Sequence, residues 1–200
     1  MHGLLLVLIS VSVCLVTNVS SAEELTDFKN GSKFVFSTKG NPKAKGLNIT
    51  INYPKSWKAV EGDRPTTVKK FISNYGKGYE AVMLNIFSQP ENTDVKITSN
   101  DFYKYFTPNE LMRDTPTGSS FVSFKRTNIL SRPALVFEFE TLVSSVKTHY
   151  TVHMFIYKNM LIKFTGYVLL VQTSGEASTK ETIKNNKKII QLIVDSVNIS

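Results

Sequence analysis

The chain has 200 residues, 42% of them hydrophobic, a formal net charge of +8 and a single cysteine. That length can bury one proper core without staples. Cys14 lies in the first apolar run, so the chain from Glu23 onward has no cysteine, which excludes disulfides and thiol catalysis there.

The segment Leu4 to Val16 is apolar with a few serines, and Ser20, Ser21 and Ala22 supply small residues before Glu23. Residues 1–22 therefore read as a secretory signal peptide, although no Lys or Arg precedes the apolar run. The run is too short for a convincing membrane span, and no later run is long enough for one. Val13 is not small and Leu15 continues the apolar run, which argues against a lipoprotein cysteine at Cys14. The expected product is an exported protein, periplasmic or secreted, with residues 23–200 as one domain. Residues 1–22 contain no Asp, Glu, Lys or Arg, so the excess charge belongs wholly to that domain and favours acidic partners.

In chain order, Glu23 to Asn30 reads as a polar, mobile lead-in. Lys33 to Thr38 and Leu47 to Tyr53 alternate as strands, separated by a turn with Lys43 and Lys45. Tyr53-Pro54-Lys55-Ser56-Trp57 ends the second strand, because proline cannot continue a ladder. Glu61 to Pro65 reads as a loop. Val68 to Ile72 and Ala81 to Ser88 are the next strands, joined through Asn74 to Gly78. A helix capped by Thr98 and Asp101 should carry Phe102, Tyr105 and Phe106. Thr107-Pro108-Asn109-Glu110 starts a second, short helix, with a capping threonine, a first-turn proline and a glutamate three positions on.

Ser119 to Leu130 is a further strand. From Arg132 to Val168 the β-formers are dense and predict a three-strand meander. A turn at Ser144-Ser145 sets Phe139 opposite Tyr150 and Glu140 opposite His149. A three-residue turn over Tyr157, Lys158 and Asn159 sets Ile156 opposite Met160, Met154 opposite Ile162 and Val152 opposite Phe164. That register gathers Leu135, Phe137, Val152, Met154, Ile162 and Phe164 on a core face. It leaves Glu138, Glu140, His149, Thr151, His153, Lys163, Thr165 and Tyr167 on a face that is either solvated or a polar cleft. Ser178 and Glu181 suggest a capping box for a terminal helix with Ile183, Ile190, Ile193, Val194 and Val197 in an apolar stripe, flanked by Lys180, Lys184, Lys187 and Lys188. The fold class is α+β: an antiparallel sheet, a mid-chain helix pair and a long C-terminal helix.

The succession of a strand ending in Tyr53-Pro54-x-x-Trp57, a Val68-x-x-Phe71 strand, a helix pair, a turn ending in Pro133-Ala134, a long meander and a helix ending near Ser196-Val197 resembles the PsbP-like α/β/α sandwich superfamily. That superfamily includes the photosystem II protein PsbP, the Ran-binding Mog protein and exported bacterial DcrB-type proteins, the branch this chain is most similar to. The resemblance spans roughly Leu47 to Val197. It implies a binding protein rather than an enzyme and carries over no functional residues.

No catalytic signature or Gly-rich phosphate loop is present. Glu140, His149 and His153 are candidates for a small metal or proton-linked site, weighed against a polar sheet face lying under a helix. On a strand His149 and His153 are about 13 Å apart, too far to share one ion. Glu138 and Glu140 point the same way, about 7 Å apart, a spacing that can serve glycoside cleavage but is common on exposed sheets. No cofactor is expected. Lys180, Lys184, Lys187 and Lys188, with Lys43 and Lys45, are candidates for contact with an anionic surface, weighed against an ordinary solvated face. The expected partner is a protein or an anionic envelope or host surface, not nucleic acid. The alternative is a small-molecule or metal-binding protein, or an enzyme, using the face around Glu138, Glu140, His149 and His153.

Overall fold

The computed structural model describes residues 21–73, 80–89, 97–170 and 176–200. Alternating strands and amphipathic helices assemble into layers. The middle layer is a seven-stranded antiparallel sheet built from β3 (Trp57–Glu61), β4 (Thr67–Ser73), β5 (Glu80–Ser88), β6 (Ser120–Ile129), β7 (Arg132–Val143), β8 (Val146–Tyr157) and β9 (Met160–Leu170), in spatial order β3-β4-β5-β9-β8-β7-β6. On one face lie α1 (Ser21–Lys29), α4 (Glu176–Asp195) and a small sheet in which β1 (Lys33–Ser37) and β10 (Asn198–Ile199) flank β2 (Ile49–Pro54). On the other lie the short helices α2 (Phe102–Tyr105) and α3 (Pro108–Arg113). This is the α+β architecture that the residue patterns predict.

The two faces bury separate cores. Under α1 and α4, Ile189, Ile190 and Ile193 meet Phe155, Ile162, Phe164, Val82, Leu84 and Ile86. Under α2 and α3, Phe102 and Leu111 meet Leu135, Phe137, Val152 and Met154. α4 lies so close to β9 that a Cβ at Gly166 would collide with Ile190. Thr107 caps α3 by accepting a hydrogen bond from the Glu110 backbone N–H, as its position before Pro108 predicts.

The meander bears out one hairpin and corrects the other. β7 and β8 pair as expected, with Phe139 opposite Tyr150 and Glu140 opposite His149. The next turn, however, has two residues, Lys158 (φ 46°) and Asn159 (φ 61°), so Tyr157 and not Ile156 faces Met160. Two consecutive left-handed residues form the tight turn whose twist matches the flanking strands. One residue fewer in the turn turns every β9 side chain to the other face. Ile162 and Phe164 therefore lie beneath α4 with His149 and His153, whereas Lys163, Thr165 and Tyr167 share a face with Val152 and Met154.

Other expectations are corrected as well. Glu23 to Asn30 is no loose lead-in: α1 buries Leu25 and Phe28, and its first two residues, Ser21 and Ala22, belong to the segment read as a leader. Trp57 starts a strand rather than only ending one, and its side chain is buried. α4 is described from Glu176, so Ser178 lies inside the helix rather than at its cap. The expected connections at Asn74 to Gly78 and Gln172 to Gly175 lie outside the described residues.

Candidate functional site

Strand alternation puts Glu138 and Glu140 of β7 on the face covered by α4, opposite Thr151 and His149 of β8. The imidazole of His149 lies between the two carboxylates, with Nε2 3.1 Å from Glu138 Oε2 and Nδ1 3.3 Å from Glu140 Oε1. Both ring nitrogens thus face an acceptor, and a neutral ring could donate to only one of them. Lys187 of α4 reaches down to Glu138 at 2.7 Å, Ser123 of β6 donates to it at 3.0 Å, and Lys147 meets Glu140 at 2.7 Å. Burial disfavours the charged form of Glu138, yet the hydrogen bonds from His149, Lys187 and Ser123 hold its carboxyl down at about 2. Glu140 is likewise lowered: burial opposes ionisation, and Lys147 and His149 outweigh it.

This cluster joins three of the residues singled out in the sequence, Glu138, Glu140 and His149, but not the fourth. His153 points to the same face four residues further along β8, is buried, and its Nδ1 has no hydrogen-bond partner among the described residues. Burial lowers its pKa to about 4, against the pull of Asp195 and Glu138. Among the described residues no three acidic, histidine or cysteine side chains are grouped to hold a metal ion. The polar face is a packed layer beneath α4 rather than an open cleft.

Above that layer α4 turns outward a shallow groove lined by Lys180, Ile183, Lys184, Lys187, Lys188 and Gln191. The helical repeat explains the grouping. Asn186, Ile189, Ile190 and Ile193 face the sheet, while Lys180, Lys184, Lys188 and Gln191 are exposed. Lys184 approaches Glu181 at 3.5 Å and Lys187 is tied to Glu138, so part of the charge is already paired. Lys43 and Lys45 do not join this group. Lys43 donates to the Gly62 carbonyl and Lys45 to Ser88 Oγ at 2.8 Å. Ser88 is opposite Met160 at one end of β9, whereas Glu138 lies level with Gly166, roughly 20 Å along the strand direction.

Sequence reasoning passed over a second buried polar group. Glu80 lies under α4 and accepts a hydrogen bond from Asn186 Nδ2 at 3.1 Å. Burial raises its carboxyl to about 7, the neighbouring Glu24 adds to the rise, and Asn186 only partly offsets them. Glu24 of α1 is itself buried and accepts from Ser56 Oγ at 2.6 Å. The signal was there. Glu80 has the strand parity of Val82, Leu84 and Ile86, and Asn186 occupies a place in the apolar stripe between Ile183 and Ile190.

No protein-family model matches the sequence, and no curated protein matches it. Solved structures do. LpqN, involved in cell envelope biogenesis of Mycobacterium tuberculosis, superposes with a TM-score of 0.51 at 10% identity, covering 92% of this chain and 99% of LpqN. The Saccharomyces cerevisiae Ran-binding protein Mog1p superposes with a TM-score of 0.54 at 8% identity, covering 83% of this chain and 94% of Mog1p. At such identities the likeness is one of fold: the chain has a Mog1/PsbP-like fold. No helix among the described residues is long and apolar enough to cross a membrane.

Proposed function

We propose that this chain is an exported, non-enzymatic binding protein of the bacterial branch of its fold. It is released after a leader ending near Ala22 and attaches to an anionic surface through the outward groove of α4. The observation that carries the reading is the gathering of Lys180, Lys184, Lys187 and Lys188 around one groove on a helix held rigidly by Ile189, Ile190 and Ile193. Lysines on a fixed helix face attract polyanions at long range and lose that attraction in salt. The neighbours' roles, Ran binding by Mog1p and cell envelope biogenesis for LpqN, are compatible with a fold that acts by binding. A small-molecule or catalytic role for Glu138, Glu140, His149 and His153 gains no support, since contacts within the cluster engage Glu138, Glu140 and His149 and His153 is buried beneath α4.

The test is retention of residues 23–200 on an immobilised polyanion over a salt gradient. Lys180→Glu, Lys184→Glu and Lys188→Glu together should lower the salt needed for elution and reduce affinity about ten-fold or more at low salt. Lys43→Glu with Lys45→Glu should change it far less. Equal loss from both sets would remove the helix groove as the site, and capture of a protein partner would become the better reading.

A further inference from the structure

The end of the sheet nearest the start of α4 carries a second feature. β7 and β8 meet in a two-residue turn, Ser144 (φ 48°) and Ser145 (φ 65°). The tip it closes is apolar: Leu142 is 66% exposed, Val143 61% and Val146 42%. β6 begins pairing only at Ser120, opposite Glu140, so Thr141 to Val143 overhang it. On that edge strand Phe121 and Val122 are also exposed, with Phe121 level with Phe139, about 13 Å back from the tip. Five of the nine exposed large hydrophobic residues among those described thus lie at this one end, while Phe34, Val35, Val60 and Leu130 are elsewhere.

The lysines sit at the same end. α4 runs antiparallel to β9, because Asn186 reaches Glu80, which is opposite Val168, and Ile190 packs on Gly166, two residues nearer the start of β9. Extending the helix back from Asn186 at 1.5 Å per residue brings Lys184 and Lys180 toward the level of Lys147, the residue next to Val146 and opposite Leu142. An apolar prong is therefore flanked by ammonium groups from β8 and α4. A soluble polyanion would use the lysines and leave the prong in water. A bilayer uses both, with the headgroups meeting the lysines and the acyl boundary taking the side chains.

We infer that the β7–β8 hairpin tip is a membrane-inserting prong, and that the anionic surface met by α4 is a lipid bilayer. Leu142, Val143 and Val146 would enter the acyl boundary while Lys147, Lys180 and Lys184 contact anionic headgroups. This deepens the reading of the α4 groove and rests on it.

Residues 23–200 hold every described element except the first two residues of α1 and contain no cysteine, so one introduced thiol can be labelled selectively. An environment-sensitive fluorophore is placed at Val143→Cys and, as a control at the other end of β8, at Lys158→Cys, which is exposed in the next turn. With vesicles of equal parts phosphatidylglycerol and phosphatidylcholine, the label at 143 should shift to the blue and the label at 158 should not. Pure phosphatidylcholine should shift neither. Leu142→Ser with Val143→Ser and Val146→Ser should lower partitioning into the anionic vesicles about ten-fold while binding to soluble dextran sulfate stays unchanged. An unshifted label at 143, no vesicle binding at low salt, or a serine variant that partitions like the parent would overturn the prong. Those results would leave the helix groove standing if dextran sulfate binding still depended on the α4 lysines. Loss of that dependence would sink the groove instead.

Discussion

Two sets of buried ionisable groups lie under α4, and they solve the same electrostatic problem in opposite ways. Around Glu138 every charge has a partner: His149, Lys187 and Ser123 converge on one carboxylate, and Lys147 serves its neighbour Glu140. Around Glu80 the hydrogen-bond donor among the described residues is a neutral amide, Asn186, and the nearby charge is another carboxyl, Glu24. Both glutamates are about equally inaccessible to water. Yet one carboxyl falls to about 2 and the other rises to about 7. Burial alone therefore does not decide the protonation of this face. The sign follows from whether a cation or only a dipole is within reach.

The contrast is broken most severely at Glu138. Glu138→Gln leaves Lys187 and His149 facing a neutral amide and should cost about 3 kcal/mol at pH 7, read from urea unfolding. The folded-state carboxyl titrates below its ordinary 4.5, so its stabilisation is complete above about pH 4.5 and is lost as pH falls through about 2. The gap between variant and parent should accordingly narrow toward pH 2. A gap that persists there would mean that the amide disrupts packing rather than charge pairing.

Glu80 carries the opposite sign. Its folded carboxyl is raised, so it binds a proton more tightly in the folded chain than in the unfolded one between about pH 4.5 and 7. Stability therefore falls as pH rises through that window and stays lowered above it. Glu80→Gln keeps an acceptor for Asn186 and removes the charge. It should raise stability by about 2 kcal/mol at pH 8 and leave it unchanged at pH 4. A variant less stable than the parent at pH 8 would show that the Glu80 carboxylate finds a compensating cation in solution.

These groups also mark how far the sequence could be read. The α+β class, the α3 cap at Thr107 and the β7–β8 register followed from local chemistry, namely turn residues and strict alternation over twelve-residue strands. The Glu140–His149 contact came with that register. The β8–β9 hairpin did not, because Lys158 gives no hint that it adopts a left-handed conformation, and one residue of turn length decides which face Ile162 and Lys163 occupy. α1 escaped because nine residues with two buried apolar side chains make a weak helix alone and gain stability only by docking. That Lys187 would cross to Glu138, and that Lys43 and Lys45 would be held elsewhere, depends on which strand each element covers, and no local pattern encodes that.

His153 offers the finest test of the contrast, since it lies on the same face with neither kind of partner at its Nδ1 among the described residues. Burial lowers it to about 4, so between about pH 6.5 and 4 the unfolded chain takes up a proton that the folded chain refuses. Stability from this group is present above pH 6.5 and is lost as pH falls toward 4. The charges facing it pull both ways: Asp195 at the end of α4 and Glu138 favour the imidazolium, and Lys187 opposes it. His153→Leu removes both the titration and the unpartnered nitrogen at similar volume. Its stability should stay within about 1 kcal/mol of the parent at pH 8 and exceed the parent's by about 1 kcal/mol at pH 5. Parallel pH profiles for variant and parent would mean that the imidazole charges without penalty inside the fold. The carboxylates of Asp195 and Glu138 would then suffice to compensate it, and His153 would belong with the partnered set around Glu138 rather than with Glu80.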